Sequence, residues 1–252
     1  MHPALLRVGS WTLSTYGVTL ALAFLIVIRL AAHAAARSAR PLGPLSAEEL
    51  LDLGCWALVG SIIGGRLFYV IGNWDVYRVQ PFEIVALWHG GLIWYGGFLG
   101  GVASTAWYLR RRGHAVWRGL DQVIPFVALG HAIGRIGCFL NGCCLGTPTR
   151  SWCGVLFPGH EVPLVPVQLI ESVGLLALYV WLRRLQTASP ARRAGWIFGA
   201  YLVAYGALRW ALEYWRDQPQ VVADLTLQQV ISGALMIVGL WLLARRPAAS
   251  SR

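Results

Sequence analysis

The reading of this chain turns on Gly130-His131-Ala132-Ile133-Gly134-Arg135-Ile136-Gly137-Cys138-Phe139-Leu140-Asn141-Gly142-Cys143-Cys144-Leu145-Gly146-Thr147-Pro148-Thr149. Arg135 lies inside an apolar run studded with glycine. An arginine at the centre of a bilayer costs roughly 2.5–3.5 kcal/mol on insertion scales, so one placed there has a task. Glycines on either side remove side chains and let a ligand or a neighbouring helix come close to the backbone. A phosphate-bearing lipid suits that charge. The alternative is an arginine paired to a buried carboxylate for assembly alone.

The rest of the chain supplies the membrane setting. Of its 252 residues, 57% are hydrophobic and 13% are charged, and mean hydropathy is +0.57, well outside the soluble range. Thirteen tryptophans suit a protein with rings at headgroup level. Apolar segments predict an all-α polytopic membrane protein with seven spans, near 13–30, 50–71, 91–109, 120–140, 166–182, 196–213 and 226–243. No small-residue cleavage site follows the first, so it reads as a retained span rather than a signal peptide. The chain is one integral-membrane unit, 1–252, with a disordered tail at about 247–252.

All 21 basic residues are arginine, and their placement carries the topology. Thirteen follow spans one, three, five and seven, against four (Arg7, Arg78, Arg150 and Arg216) on the other side. The positive-inside rule then puts the N-terminus outside and the C-terminus in the cytoplasm. The formal charge of +10 is mostly this signal, and no soluble basic domain is legible that would bind nucleic acid. Arg29, Arg66, Arg135 and Arg209 fall in or at the ends of spans. Arg29 can snorkel, whereas the other three need partners, with Glu171 and Glu213 as candidates at comparable depth.

Three groups could carry chemistry. Tyr205, Arg209, Glu213 and Arg216 fall within about 80° on a helix, one polar face rising toward the outer surface; the simpler reading is an Arg209–Glu213 pair at i,i+4. The segment from His89 to Gly101 holds three Gly-Gly pairs, suited to close helix contact or to backbone approach by a substrate. It also holds His89, a base near neutral pH, and Tyr95. Cys138, Cys143, Cys144 and Cys153 cluster near the outer face, with Cys55 isolated. Their spacing does not match the paired CxxC of a structural zinc site. Disulfide, metal ligand and reactive thiol beside Arg135 all remain open. A disulfide from Cys153 to Cys143 or Cys144 would close about ten residues and contribute at best about 2–3 kcal/mol.

Together these residues resemble the bacterial prolipoprotein diacylglyceryl transferases. The resemblance runs through Tyr16-Gly17, Gly64-Gly65-Arg66-Leu67-Phe68-Tyr69, the His89–Gly101 segment and Gly134-Arg135-Ile136-Gly137-Cys138-Phe139-Leu140-Asn141-Gly142. It continues through Pro166-Val167-Gln168-Leu169-Ile170-Glu171, the Tyr205-to-Arg216 face, and Gln229 with Ser232. It implies a multi-pass enzyme of the bacterial inner membrane that moves the diacylglyceryl group of phosphatidylglycerol onto the lipobox cysteine of a prolipoprotein signal peptide. Glycerol 1-phosphate is released, and neither metal nor cofactor is needed. On that resemblance Arg135, Arg209, Tyr95, His89 and Glu213 are the catalytic candidates. Tyr16, Arg66, Tyr69, Asn141, Gln168, Glu171, Tyr205 and Arg216 are the substrate-binding ones.

The chain departs from the family pattern at four places. Cys138 stands where asparagine is usual, Cys143 where glutamate is common, Tyr95 where the family has histidine, and Val165 where histidine often precedes Pro-x-Gln. His89 lies six residues before the family's histidine position. The arginines persist while proton-handling groups change. The alternative to a working transferase is therefore a paralogue that binds anionic phospholipid or runs a different, thiol-dependent membrane reaction.

Overall fold

The computed structural model describes residues 4–245 apart from 9–10, 39–41, 189–192, 217 and 223. The tail expected at 247–252 lies outside the described residues, as does the side chain of His89. A hairpin of β1 (Ala4–Val8) and β2 (Trp11–Ser14) leads into α1 (Thr15–Arg37). Then follow α2 (Ala47–Gly72), the short α3 (Trp74–Tyr77), two 3-10 turns (Pro81–Val85 and Leu87–His89) and α4 (Trp94–Arg111). Next come α5 (Val116–Asn141), α6 (Val167–Ala188) and α7 (Trp196–Glu213). A hairpin of β3 (Gln220–Val222) and β4 (Leu225–Thr226) introduces α8 (Leu227–Ala244).

Among the described residues there are seven long helices, each overlapping one expected span, and four of them, α1, α2, α5 and α8, are long and apolar enough to cross a membrane. The other three carry the glycines and polar side chains described below. The all-α expectation needs one correction, the two hairpins, which pair antiparallel just before α1 and α8. The helix starts are set locally. Ser14 accepts a hydrogen bond from the Gly17 amide, and Ser46 with Glu49 and Thr226 with Gln229 form reciprocal capping boxes.

Helices pair through glycine. A Cβ on Gly64 would strike the Gly96 carbonyl, and one on Gly100 would strike the Gly60 carbonyl, so α2 and α4 lie backbone to backbone. The glycine pairs of α4 thus serve helix contact. Similarly, a Cβ on Gly199 would come within 3.0 Å of the Gly239 carbonyl and one on Gly206 within 2.9 Å of the Ser232 carbonyl, where α7 joins α8. α1 packs along α5 and bridges to α2, while α5, α6, α7 and α8 enclose a core of Ala128, Ala132, Leu175, Leu182 and Leu202 among others.

At the end of the bundle away from Arg135, side chains satisfy the backbone. Gln122 exchanges two 2.8 Å hydrogen bonds with the Leu45 peptide. Asp121 accepts from the amides of Gly195 (2.6 Å) and Phe198 (2.8 Å), capping α7 from a neighbouring helix. Gln186 donates to the carbonyls of both Asp121 and Gln122. This network fixes the register of α5, α6 and α7 without occupying the site.

Gly100→Leu should destabilise the detergent-solubilised protein by about 1–3 kcal/mol, the range for overpacking a close contact. Gly72→Ala, where a Cβ meets nothing within 4 Å, should leave it unchanged. Thermal unfolding of the two variants side by side checks this.

Candidate active site

The site is built on the last turns of α5, the first turn of α6 and the end of α7. On α5, His131 and Arg135 stand four residues apart and so share a helix face. On α6, Glu171 is 1% exposed and lies against both of them. Its Oε2 is 3.0 Å from Arg135 Nε, and its Oε1 is 3.7 Å from His131 Nε2. On α7, Arg209 Nη1 lies 2.8 Å from Glu213 Oε2, and Arg216, in the turn beyond the helix, brings Nε to 3.9 Å from the same oxygen. Thr226 donates to Glu213 Oε1 at 2.9 Å, so the capping residue of α8 also holds this carboxylate.

Aromatic rings join the two halves. Tyr205 meets the His131 ring edge to face at 5.2 Å and stacks on Tyr201 at 5.6 Å with 5° between planes. Its hydroxyl neighbours Arg135, Glu171 and Arg209. Structure thus brings together Arg135, Glu171, Tyr205, Arg209, Glu213 and Arg216 from the sequence candidates. It adds His131, which sequence reasoning passed over. The signal available was its i,i+4 relation to Arg135.

The ion pairs are close but poorly aligned. Arg135 Nε, Arg209 Nη1, Arg216 Nε, Glu171 Oε1 and Glu213 Oε2 are all buried without a hydrogen-bond partner. For Arg135–Glu171 (3.0 Å) and Arg209–Glu213 (2.8 Å) direction keeps the charge pair from being a hydrogen bond, and for Arg216–Glu213 (3.9 Å) and His131–Glu171 (3.7 Å) the separation does. Three guanidiniums face two carboxylates here, a surplus of one positive charge in apolar surroundings. Such a set is costly when empty and favourable to an anion that can complete its hydrogen bonds.

There is also room. Along α5, a Cβ on Gly130 would meet Val27 at 3.2 Å, and one on Gly137 would meet Thr19 at 3.1 Å and Tyr16 at 3.5 Å, so both glycines seat α1. Gly134 lies on the same face between them, yet a Cβ there meets nothing within 4 Å. The α1–α5 seam has a gap one residue from Arg135, with the 37% exposed Tyr16 at its margin.

Several candidates take other places. Among the described residues Arg66 pairs with no carboxylate: it donates to the carbonyls of Ile84 (2.9 Å), Gly91 (3.1 Å), Ala86 (3.2 Å), Glu83 and Gly90. Tyr69 and Tyr77 flank its guanidinium at 5.8 and 5.3 Å. Arg66 therefore organises the 83–91 loop, and Tyr69 packs against it. Tyr95 sits at the start of α4, 51% exposed, on a helix packed along α2. Gln168, 1% exposed, donates to the Cys143 carbonyl at 2.6 Å, and Asn141 bonds the Cys143 sulfur.

The expected disulfide is not formed: all five cysteines are free. Helix α5 ends in a left-handed Gly142 (φ 72°). The Cys143 amide donates back to the Cys138 carbonyl and the Gly142 amide to the Phe139 carbonyl, the Schellman pattern. That turn folds Cys143 over Cys138. The following loop, bridged at Val155–Leu164 and anchored by the buried Phe157, carries Cys153 elsewhere, 3.3 Å from the Ser151 hydroxyl. The Cys144 thiol is pulled down to about 5, first by the hydrogen bond from Cys138 and then by that from Cys143 and the charges of Arg135 and Arg216, against the opposing effect of burial.

A helical bundle of membrane type with a cationic, partly unsatisfied interior site is the class these features define. Residues 3–245 match the family model described as prolipoprotein diacylglyceryl transferase. Phosphatidylglycerol–prolipoprotein diacylglyceryl transferase from Synechococcus elongatus is 35% identical over 243 residues, covering 91% of this chain and 82% of that protein. Proteins of the same name from Solidesulfovibrio magneticus (32% identical, 97% and 94% covered) and Brucella ovis (30%, 100% and 94%) are similar along their length. The chain belongs to the prolipoprotein diacylglyceryl transferase family.

At mildly acidic pH, Cys144 should alkylate faster than free cysteine in the same solution, because it retains thiolate where an ordinary thiol of pKa about 8.5 does not. Cys138→Ser should narrow the difference. Peptide mass spectrometry after timed iodoacetamide treatment measures both.

Proposed function

We propose that this chain is a seven-span enzyme of the bacterial inner membrane, N-terminus outside and C-terminus cytoplasmic, that transfers the diacylglyceryl group of phosphatidylglycerol to the lipobox cysteine of a prolipoprotein signal peptide. The observation that carries this reading is the surplus of guanidinium charge, with unpartnered buried donors on Arg135, Arg209 and Arg216 and open space at Gly134, the residue before Arg135. The donor lipid's phosphate enters there and completes the missing hydrogen bonds.

The reaction forms a carbon–sulfur bond and breaks the bond between the diacylglyceryl carbon and the phosphate oxygen. Glycerol 1-phosphate leaves with the electron pair. Arg135 and Arg209 meet the charge that grows on the departing phosphate, which lowers the barrier. The acceptor thiol gives up its proton to His131. Glu171 Oε1 lies 3.7 Å from its Nε2, and the Tyr205 ring keeps the imidazole turned. His131 thus takes the role that sequence alone would place on His89 or Tyr95. Tyr95 orients the lipid from α4 by hydrogen bonding. Glu213 holds Arg209 and Arg216 in place. Gln168 fixes the Cys143 peptide at the rim, where Asn141 and Tyr16 also stand.

The paralogue reading keeps the same anion site and differs at Cys138 and Cys143, which enter the rim in place of the family's asparagine and glutamate. Complementation of a transferase-depleted bacterium, scored by diacylglyceryl modification of a lipoprotein, separates the two. Rescue is expected; phosphatidylglycerol binding without rescue would favour the paralogue.

Arg135→Lys and Arg209→Lys should each lower kcat/KM by about 10²-fold or more, because a point charge does not replace a planar fork at a developing phosphate charge. Full turnover by both lysine variants in a purified assay would remove the phosphate role. His131→Gln should reduce kcat by about 10²–10⁴-fold, with KM for phosphatidylglycerol little changed. The defect should ease as pH approaches the acceptor thiol's own pKa of about 8.5. Loss of lipid binding in place of kcat would reassign His131.

A further inference from the structure

The sulfurs of Cys138, Cys143 and Cys144 all lie within 4.8 Å of one another at the C-terminal end of α5. Three separate devices hold them there. Cys138 is on the helix and 9% exposed. Cys143 is turned back over it by the left-handed Gly142 and tied by Gln168 from α6. Cys144 itself has φ 59°, a conformation that residues with a side chain rarely adopt. The chemistry described above uses none of these three thiols.

We propose that Cys138, Cys143 and Cys144 form a three-thiolate site for a thiophilic d10 cation such as Zn²⁺, independent of the transferase reading. Thiolates bind zinc at about 2.3 Å, which places the sulfurs of a shared ion about 3.8–4.0 Å apart. The present spacing, within 4.8 Å, needs about 1 Å of closure at most. Among the described residues no histidine or carboxylate joins the set, and three soft sulfur donors do not suit hard cations such as Mg²⁺ and Ca²⁺. All three bind as thiolates, and any protons they still carry pass to solvent. Three thiolates and a divalent ion then carry one net negative charge, which faces Arg135 and Arg216. Cys153, held at Ser151, and Cys55, exposed on α2, take no part.

The test uses the full-length, reduced protein in detergent, freed of metal and titrated with Zn²⁺ alone. One tight equivalent per chain is expected. Cys143→Ser and Cys144→Ser should each abolish it, and Cys153→Ser should retain it. Since a substitution could disturb the α5 cap, the wild-type protein supplies a second measurement. Zn²⁺ should slow alkylation of Cys143 and Cys144 by at least about tenfold, because a metal-bound thiolate is withdrawn as a nucleophile, and leave Cys153 and Cys55 unchanged. No stoichiometric binding, binding that survives both cluster substitutions, or equal protection of Cys153 would overturn the site.

Discussion

The contact between Glu171 and the α5 pair His131 and Arg135 is the constraint on which the rest of this structure depends. A carboxylate 1% exposed in an apolar bundle persists only beside positive charge or a hydrogen-bond donor. Meeting that need fixes the rotation of α5 against α6, since only one face of α5 carries both side chains. Tyr205 then presses on His131 from α7, and the same helix presents Arg209 and Glu213 one and two turns further on. A buried ion pair contributes little net stability once its desolvation is counted. Its role here is to specify geometry and leave guanidinium donors short of partners.

The two ends of the bundle divide the labour. At one, Gln122, Gln186 and Asp121 close every hydrogen bond they can reach, mostly with backbone, and make a joint. At the other, buried polar atoms stay unpaired. Unsatisfied groups are expensive, and they are tolerated where a ligand will satisfy them. The rigid end bears the cost of the reactive one.

Much of this was legible in the sequence. Seven helices follow from the apolar segments and their breaks. Arg135 and Arg209 stand out because a charge inside such a segment is costly, and Glu171 and Glu213 follow as the carboxylates at matching depth. Other features are tertiary and left no pattern to read. Arg66 resembles a ligand-binding arginine until the 83–91 loop brings five carbonyls around it. His131 is one imidazole in an apolar helix until α6 and α7 supply Glu171 and Tyr205. The cysteines were misjudged for a local reason: Gly142 reads as a helix C-cap, and that turn directs Cys143 to Cys138 rather than to Cys153. The hairpins before α1 and α8 lie in segments too short for alternation to register.

The gap at Gly134 opens between two helices along the side of the bundle rather than at its end. A donor lipid taking that route never leaves the bilayer: its polar head slides inward while its tails stay among their neighbours. Supply of the first substrate is then a two-dimensional problem, governed by the mole fraction of anionic lipid in the surrounding leaflet rather than by any bulk concentration. Diluting that lipid with a neutral one at constant total amount would starve the enzyme, whereas adding more membrane of the same composition would not feed it.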